Sequence, residues 1–198
     1  MGVFKGRFLG PARGLGLMLG FLVAAVASAT TVIAPHFEAL VDQSDLIFTG
    51  RMLSQRSEWR EINGQRSIVT LVTFSVQKIH KGQTGSTITL QFLGGRIGDV
   101  SLEVAEMPAF KPGERVVLFV ADNGASACPL VGFFHGKFSL VADAQGRDEV
   151  RQHDGEPVAE VNEIGRRKMK SAPAGKRALS HDEFSAAIRE RAARAGKR

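Results

Sequence analysis

The sequence has one cysteine, Cys128, in 198 residues, which rules out an internal disulfide and leaves a hydrophobic core as the source of stability. Close ligand pairs are also missing: His36, His80, His135, His153 and His181 show no His-x-x-x-His or comparable spacing, so no metal and no cofactor is assigned. Catalytic signatures are equally scarce. Asp42 with Asp45 and Glu103 with Glu106 lie three apart near element ends, where exposed carboxylates are ordinary, and no catalytic residue is assigned. The Gly94-Gly95-Arg96-Ile97-Gly98 segment precedes a strand, so it lacks the helix dipole on which a phosphate loop relies. No apolar run reaches the roughly 20 residues of a spanning helix.

What is present starts with an address. Lys5, Arg7 and Arg13 precede the apolar run from Leu15 to Ala27, which ends in Ala27-Ser28-Ala29, the pattern of a secretory signal peptide. Gly16 and Gly20 interrupt the run and Pro35 follows it, so cleavage near Ala29 is expected, with a soluble periplasmic or secreted product and no transmembrane segment. There is no paired arginine ahead of the run and no cysteine near its end for a lipid. Cys128, set in Ala127-Cys128-Pro129-Leu130 with no basic neighbour, reads as a buried thiol and not a nucleophile.

The net charge of +6 hides a division. Residues 30–164 hold twelve Lys/Arg against seventeen Asp/Glu, a net of −5, and residues 165–198 hold eleven against three, a net of +8. The basicity belongs to the tail. An exported chain does not meet cellular nucleic acid, and no aromatic platform is interleaved with the tail arginines, so nucleic acid is excluded as a partner. An anionic envelope surface remains a candidate partner for the tail.

Between these ends the pattern is mainly β. Pro35 suits a first helical position, and Phe37, Leu40 and Val41 follow at helical spacing, giving a short helix closed by Ser44-Asp45. From Leu46 the period becomes two, through Trp59 to an Asn63-Gly64 hairpin signal, and Ser67 to His80 returns antiparallel with Ile68, Val72, Phe74 and Val76 set toward the core. Ser86 to Leu93 alternates as a third strand. Gly94-Gly95 marks a bend, after which Arg96 to Val104 reads as one shorter strand. Pro112-Gly113-Glu114 is a turn, and the continuous apolar run Val116 to Val120 marks the most buried strand. Leu130 to Phe134 with Lys137 to Ala142 read as a pair around His135-Gly136, and Asp148 to Gln152 as an edge strand. Residues 165–179 form a basic linker, and Ser180 with Glu183 makes a capping box opening an amphipathic helix over His181 to Arg194, with Leu179, Phe184 and Ile188 on its apolar face. Four regions result: a signal peptide over 1–29, a β-barrel domain over 30–164, the linker, and a C-terminal helix and tail over 180–198.

Three segments carry a resemblance. Asp45-Leu46-Ile47-Phe48-Thr49-Gly50-Arg51, Val76-Gln77-Lys78-Ile79-His80-Lys81-Gly82 and Pro112-Gly113-Glu114-Arg115-Val116-Val117-Leu118-Phe119 resemble a family of uncharacterised exported bacterial proteins. That family is similar in outline to the netrin-like and metalloproteinase-inhibitor group. The resemblance covers residues 35–142 and implies an antiparallel OB-like curled barrel. Inhibitors of that group ligate a protease zinc through an N-terminal cysteine, whereas this mature chain would begin Thr30-Thr31-Val32, so that mechanism is unsupported.

The functional expectation is an exported, non-enzymatic binding module for a protein or glycan. Trp59, flanked by Arg56 and Arg60 near the hairpin tip, is the candidate ligand-binding group, because tryptophan and arginine dominate binding hot spots. The alternatives are a secreted hydrolase or enzyme accessory protein, and an envelope-associated protein acting through its basic tail.

Overall fold

The computed structural model describes residues 34–62, 64–166 and 177–196; the expected signal peptide and most of the expected linker lie outside them. Helix α1 spans Phe37–Gln43 and is followed by β1 (Leu46–Ile62), β2 (Gln65–Lys81), β3 (Thr87–Leu93), β4 (Gly95–Ile97), β5 (Val100–Leu102), β6 (Arg115–Val120), β7 (Lys137–Ala142) and β8 (Asp148–Arg151), with α2 (His181–Ala195) last. Six strands form one antiparallel sheet in the order β3-β2-β1-β6-β7-β8, and β4 and β5 form a separate hairpin. Among the described residues, no helix is long and apolar enough to cross a membrane.

The sheet is organised around β6. Its side chains alternate: Val117 and Phe119 join the core under the helices, and Val116, Leu118 and Val120 join a second core on the opposite face. A strand covered on both sides needs an unbroken apolar run, which is what residues 116–120 supply. On the helix side, Phe184 and Ile188 of α2 and Phe37, Leu40 and Val41 of α1 pack on Ile47, Phe138, Leu140 and Val150. Phe184 and Ile188 are fully buried, each worth roughly 1.5–3 kcal/mol of apolar transfer, so α2 is part of the domain. On the other face, Phe48, Phe74, Leu90 and Phe92 close over Phe110.

β1 and β2 form a long hairpin joined at Gly64, whose φ of +75° is the left-handed value a tight two-residue turn demands. β6 pairs with β1 only over Leu46–Arg51, so beyond Ser54 the hairpin continues with β2 and β3 alone. Gly95 marks the bend into β4, since a Cβ there would stand 2.3 Å from Thr70 Oγ1 and 2.5 Å from Ser57 Oγ.

Four expectations are corrected. The sheet does not close into a barrel: β6 gives its second edge to β7 and, by an isolated bridge at Val120, to Leu130, and β3 and β8 stand at the two ends of the sheet and do not pair with each other. Irregular chain covers their edges instead, with Leu93 N donating to Ala127 O at 2.8 Å and Val150 N to Leu179 O at 3.0 Å. Leu130 to Phe134 is not a strand, because Gly132 and Phe133 both take left-handed φ values, of 66° and 57°, and start a 3₁₀ turn. The single strand expected over Arg96 to Val104 is the β4–β5 hairpin, turned at Gly98 with φ of 59°. Pro35 stands outside α1, whose N-cap is His36. The capping box is formed, Ser180 Oγ accepting from the Glu183 backbone N–H and the Glu183 carboxylate from the Ser180 N–H.

Candidate functional site

The Trp59 region separates the residues that sequence proximity put together. In a strand, alternate side chains take opposite faces, so Arg56, Glu58 and Arg60 share one face and Trp59 takes the other. Both guanidiniums bind Glu58, Arg60 Nε at 2.6 Å and Arg56 Nε at 3.3 Å, and Arg60 Nη1 also donates to Gln91 Oε1 at 2.8 Å. The Arg60 hydrogen bond first, and then the charges of Arg60 and Arg56, hold the Glu58 carboxyl below the ordinary carboxylate value against an opposing desolvation. Directly across the hairpin, Arg56 faces Leu71 and Glu58 faces Val69. Both apolar partners are buried, so the charged network roofs them. Trp59, 39% exposed, is joined instead by Arg66, whose guanidinium lies 4.6 Å from the ring centroid. The hairpin register held the clue: Trp59 opposes Ile68, which makes Arg66 its diagonal neighbour.

A larger feature lies elsewhere. A groove of about 860 Å³ runs between the 107–115 segment and β7–β8. Its apolar surface comes from Met107, Pro108, Phe134 and Val141, and its charged surface from Arg51, Lys111, Arg115, Lys137 and Arg151 against Glu114 and Asp148. The groove is therefore cationic in a body of negative net charge. Lys137, only 10% exposed at its side chain, donates to Ala109 O at 2.5 Å and lies 2.9 Å from Glu114 Oε1, over the Phe110 ring. Ser139 Oγ donates to Glu114 Oε1 at 2.8 Å and the Lys111 N–H to Glu114 Oε2 at 3.0 Å. Burial raises the Glu114 pKa, but these hydrogen bonds, with Lys137 the strongest of them, bring it below the ordinary value. A carboxylate so stabilised is a poor base for Ser139, so the Lys137–Glu114–Ser139 cluster pins the loop to β7. Arg115 is engaged by Asp148 at 2.5 Å. The Lys111 ammonium has no partner among the described residues, and Arg51 uses one guanidinium nitrogen on Gly113 O at 2.8 Å.

Folding also unites histidines that sequence spacing kept apart. Thr49 Oγ1 lies 2.8 Å from His80 Nε2 and 2.8 Å from His181 Nε2. Burial, with His181, Lys78 and Arg189 adding repulsion, pushes His80 down to about 4, and burial with Lys78 lowers His181. His135 and His153 meet over Phe134 with ring centroids 5.1 Å apart. Among the described residues, no group of three or more His, Cys, Asp or Glu is placed to hold a metal ion. Cys128 is buried and its thiol is pushed up to about 11 by desolvation. Three tail arginines are engaged: Arg177 with Glu183, Arg191 with Asp42 on α1, and Arg194 with Glu190.

Comparison with protein-family models, with curated proteins and with solved structures returned no match. The chemistry of the site therefore rests on its geometry.

Proposed function

We propose that this chain is an exported, non-enzymatic binding module whose curled, OB-like sheet carries the ligand groove between the 107–115 segment and β7–β8. The carrying observation is the groove itself: an apolar surface with a surplus of cations, two of them, Lys111 and Arg51, with donors to spare, on a body of net −5. A ligand that buries apolar groups on Met107 and Val141 while offering carboxylates to Lys111 and Arg51 satisfies both surfaces. An extended acidic peptide segment of a partner protein has that chemistry. A glycan fits less well, since Phe134 is the one phenyl ring, with no indole, among the described residues lining the groove, and sugars stack preferentially on such rings.

The test is the affinity of the mature protein for peptides of alternating acidic and apolar residues, measured calorimetrically at two salt concentrations. Binding that weakens at least tenfold in Arg51→Glu/Lys111→Glu and weakens with salt supports the reading. Equal binding by the double variant, or no binding by the wild type, overturns it.

A further inference from the structure

The hydrogen bonds that fasten α2 to the sheet have a direction. Thr49 is fully buried between two imidazoles. Its hydroxyl has one proton, so it donates to one Nε2 and accepts from the other. The arrangement at His80 decides which. Its Nδ1 is buried without a partner, and a buried N–H without an acceptor is rarer and costlier than an idle lone pair. The His80 proton therefore sits on Nε2 and is donated to Thr49. Thr49 in turn donates to Nε2 of His181, whose own proton is on Nδ1.

One further proton breaks this chain. Added to His181 Nε2, it turns the acceptor into a donor and leaves Thr49 between two donors, with its own hydroxyl proton facing no acceptor. Added to His80 Nδ1, it creates a buried charge with an unpartnered N–H. The surroundings do not compensate. His80 faces His181, Lys78 of its own strand and Arg189 of α2. His181 faces Lys78 of β2 and Arg115 of β6, offset by Asp182 of α2 and Asp148 of β8. His181 is also the first residue of α2, where the helix dipole disfavours a cation. Beside this cluster, Ser185 Oγ on the next turn of α2 is buried without a partner, so the interface holds two unsatisfied polar groups that undocking would return to water.

We propose that α2 is an acid-released latch: protonation of His80 and His181 favours a state in which α2 has left the sheet and uncovered the aromatic surface of Phe119 and Phe138. The sign follows from linkage. Both imidazoles titrate below their ordinary value when α2 is docked, so the docked state is fully favoured above about pH 6.5 and loses that preference as pH falls toward about 4. Other ties of α2 remain beside the imidazoles, among them the ion pairs of Arg191 with Asp42 of α1 and of Asp182 with Lys78 of β2. The Glu183 carboxyl, held at about 2 by Arg177 and Ser180, keeps its charge, and Phe184 and Ile188 have none.

The experiment is amide hydrogen exchange on the full mature chain at pH 7.0 and 4.5, corrected for intrinsic rates, with α2 compared with β6. The latch predicts that protection in α2 falls at least tenfold while β6 keeps its own, and that His181→Gln shrinks the fall to less than threefold. Imidazole nitrogen shifts of the wild type at pH 7.0 should place the His80 proton on Nε2 and the His181 proton on Nδ1. Unchanged α2 protection, a parallel loss in β6, a fall that persists in full in His181→Gln, or the reverse tautomers would each overturn the proposal.

Discussion

Lys137 of β7 and Glu114, 23 positions earlier at the end of the loop that walls the groove, stand 2.9 Å apart with both side chains largely buried. The pair fixes the loop that the proposed ligand would touch, so stability and binding are linked through it. Glu114→Ala strands a buried ammonium and is expected to cost about 3 kcal/mol. Lys137→Met should cost less, because the Glu114 carboxylate keeps Ser139 and the Lys111 N–H. Urea denaturation of both variants checks the order.

The same carboxylate predicts an acid dependence. Glu114 titrates below its ordinary value of 4.5 in the folded chain, so its contribution is present above that pH and is lost as pH falls through the folded value. Glu114→Gln should therefore flatten the decline of stability below pH 4.5, as read from urea midpoints across pH 3 to 6.

Phe184 tests whether the C-terminal helix belongs to the domain. Its ring packs 5.0 Å from Phe138, 5.9 Å from Phe37 and 6.2 Å from Phe119, centroid to centroid. Phe184→Ala should destabilise the chain by about 3–5 kcal/mol, seen as a single lowered unfolding transition. Removing residues 180–198 should do at least as much damage. Loss of envelope association on truncation would then report loss of core packing on the sheet as well as loss of basic charge.

Cys128 should be nearly inert. A thiol raised from 9.0 to about 11 has about 100-fold less thiolate at neutral pH. A disulfide reagent at pH 8 is expected to label the native chain at least that much more slowly than the urea-unfolded chain.

Trp59, the sole tryptophan, gives a direct optical check on the hairpin. Its emission should be that of a partly exposed indole, and Arg66→Ala should increase quenching by acrylamide. Arg56→Ala should leave quenching unchanged, since Arg56 lies on the opposite face.

Local rules explain what the sequence made legible. The Asn63-Gly64 turn, the apolar run of β6 and the Ser180–Glu183 box each need only a few neighbouring residues to specify them, and the structure contains the hairpin, the buried strand and the capped helix accordingly. Alternation placed β7 at Lys137–Ala142 but wrongly made Leu130 to Phe134 a strand, because nothing in the string Val131-Gly132-Phe133 declares two successive left-handed residues. Closure of the sheet was illegible for a related reason: whether the terminal strands β3 and β8 meet depends on packing across the whole chain. The candidate sites follow the same division. Arg56, Trp59 and Arg60 were conspicuous as neighbours, yet strand alternation divides them. Thr49, His80 and His181 are 31 and 132 positions apart, and Lys137 and Glu114 are 23 apart, so only the fold brings them together.

Binding of an acidic ligand in the groove beside Lys111 is tested most directly by chemical-shift mapping on residues 30–198. Titration with an acidic, apolar peptide should move resonances at Arg51, Met107, Lys111 and Val141 and leave Trp59 and Arg66 in place. Shifts confined to the Trp59 hairpin, or none at saturating peptide, would contradict the account.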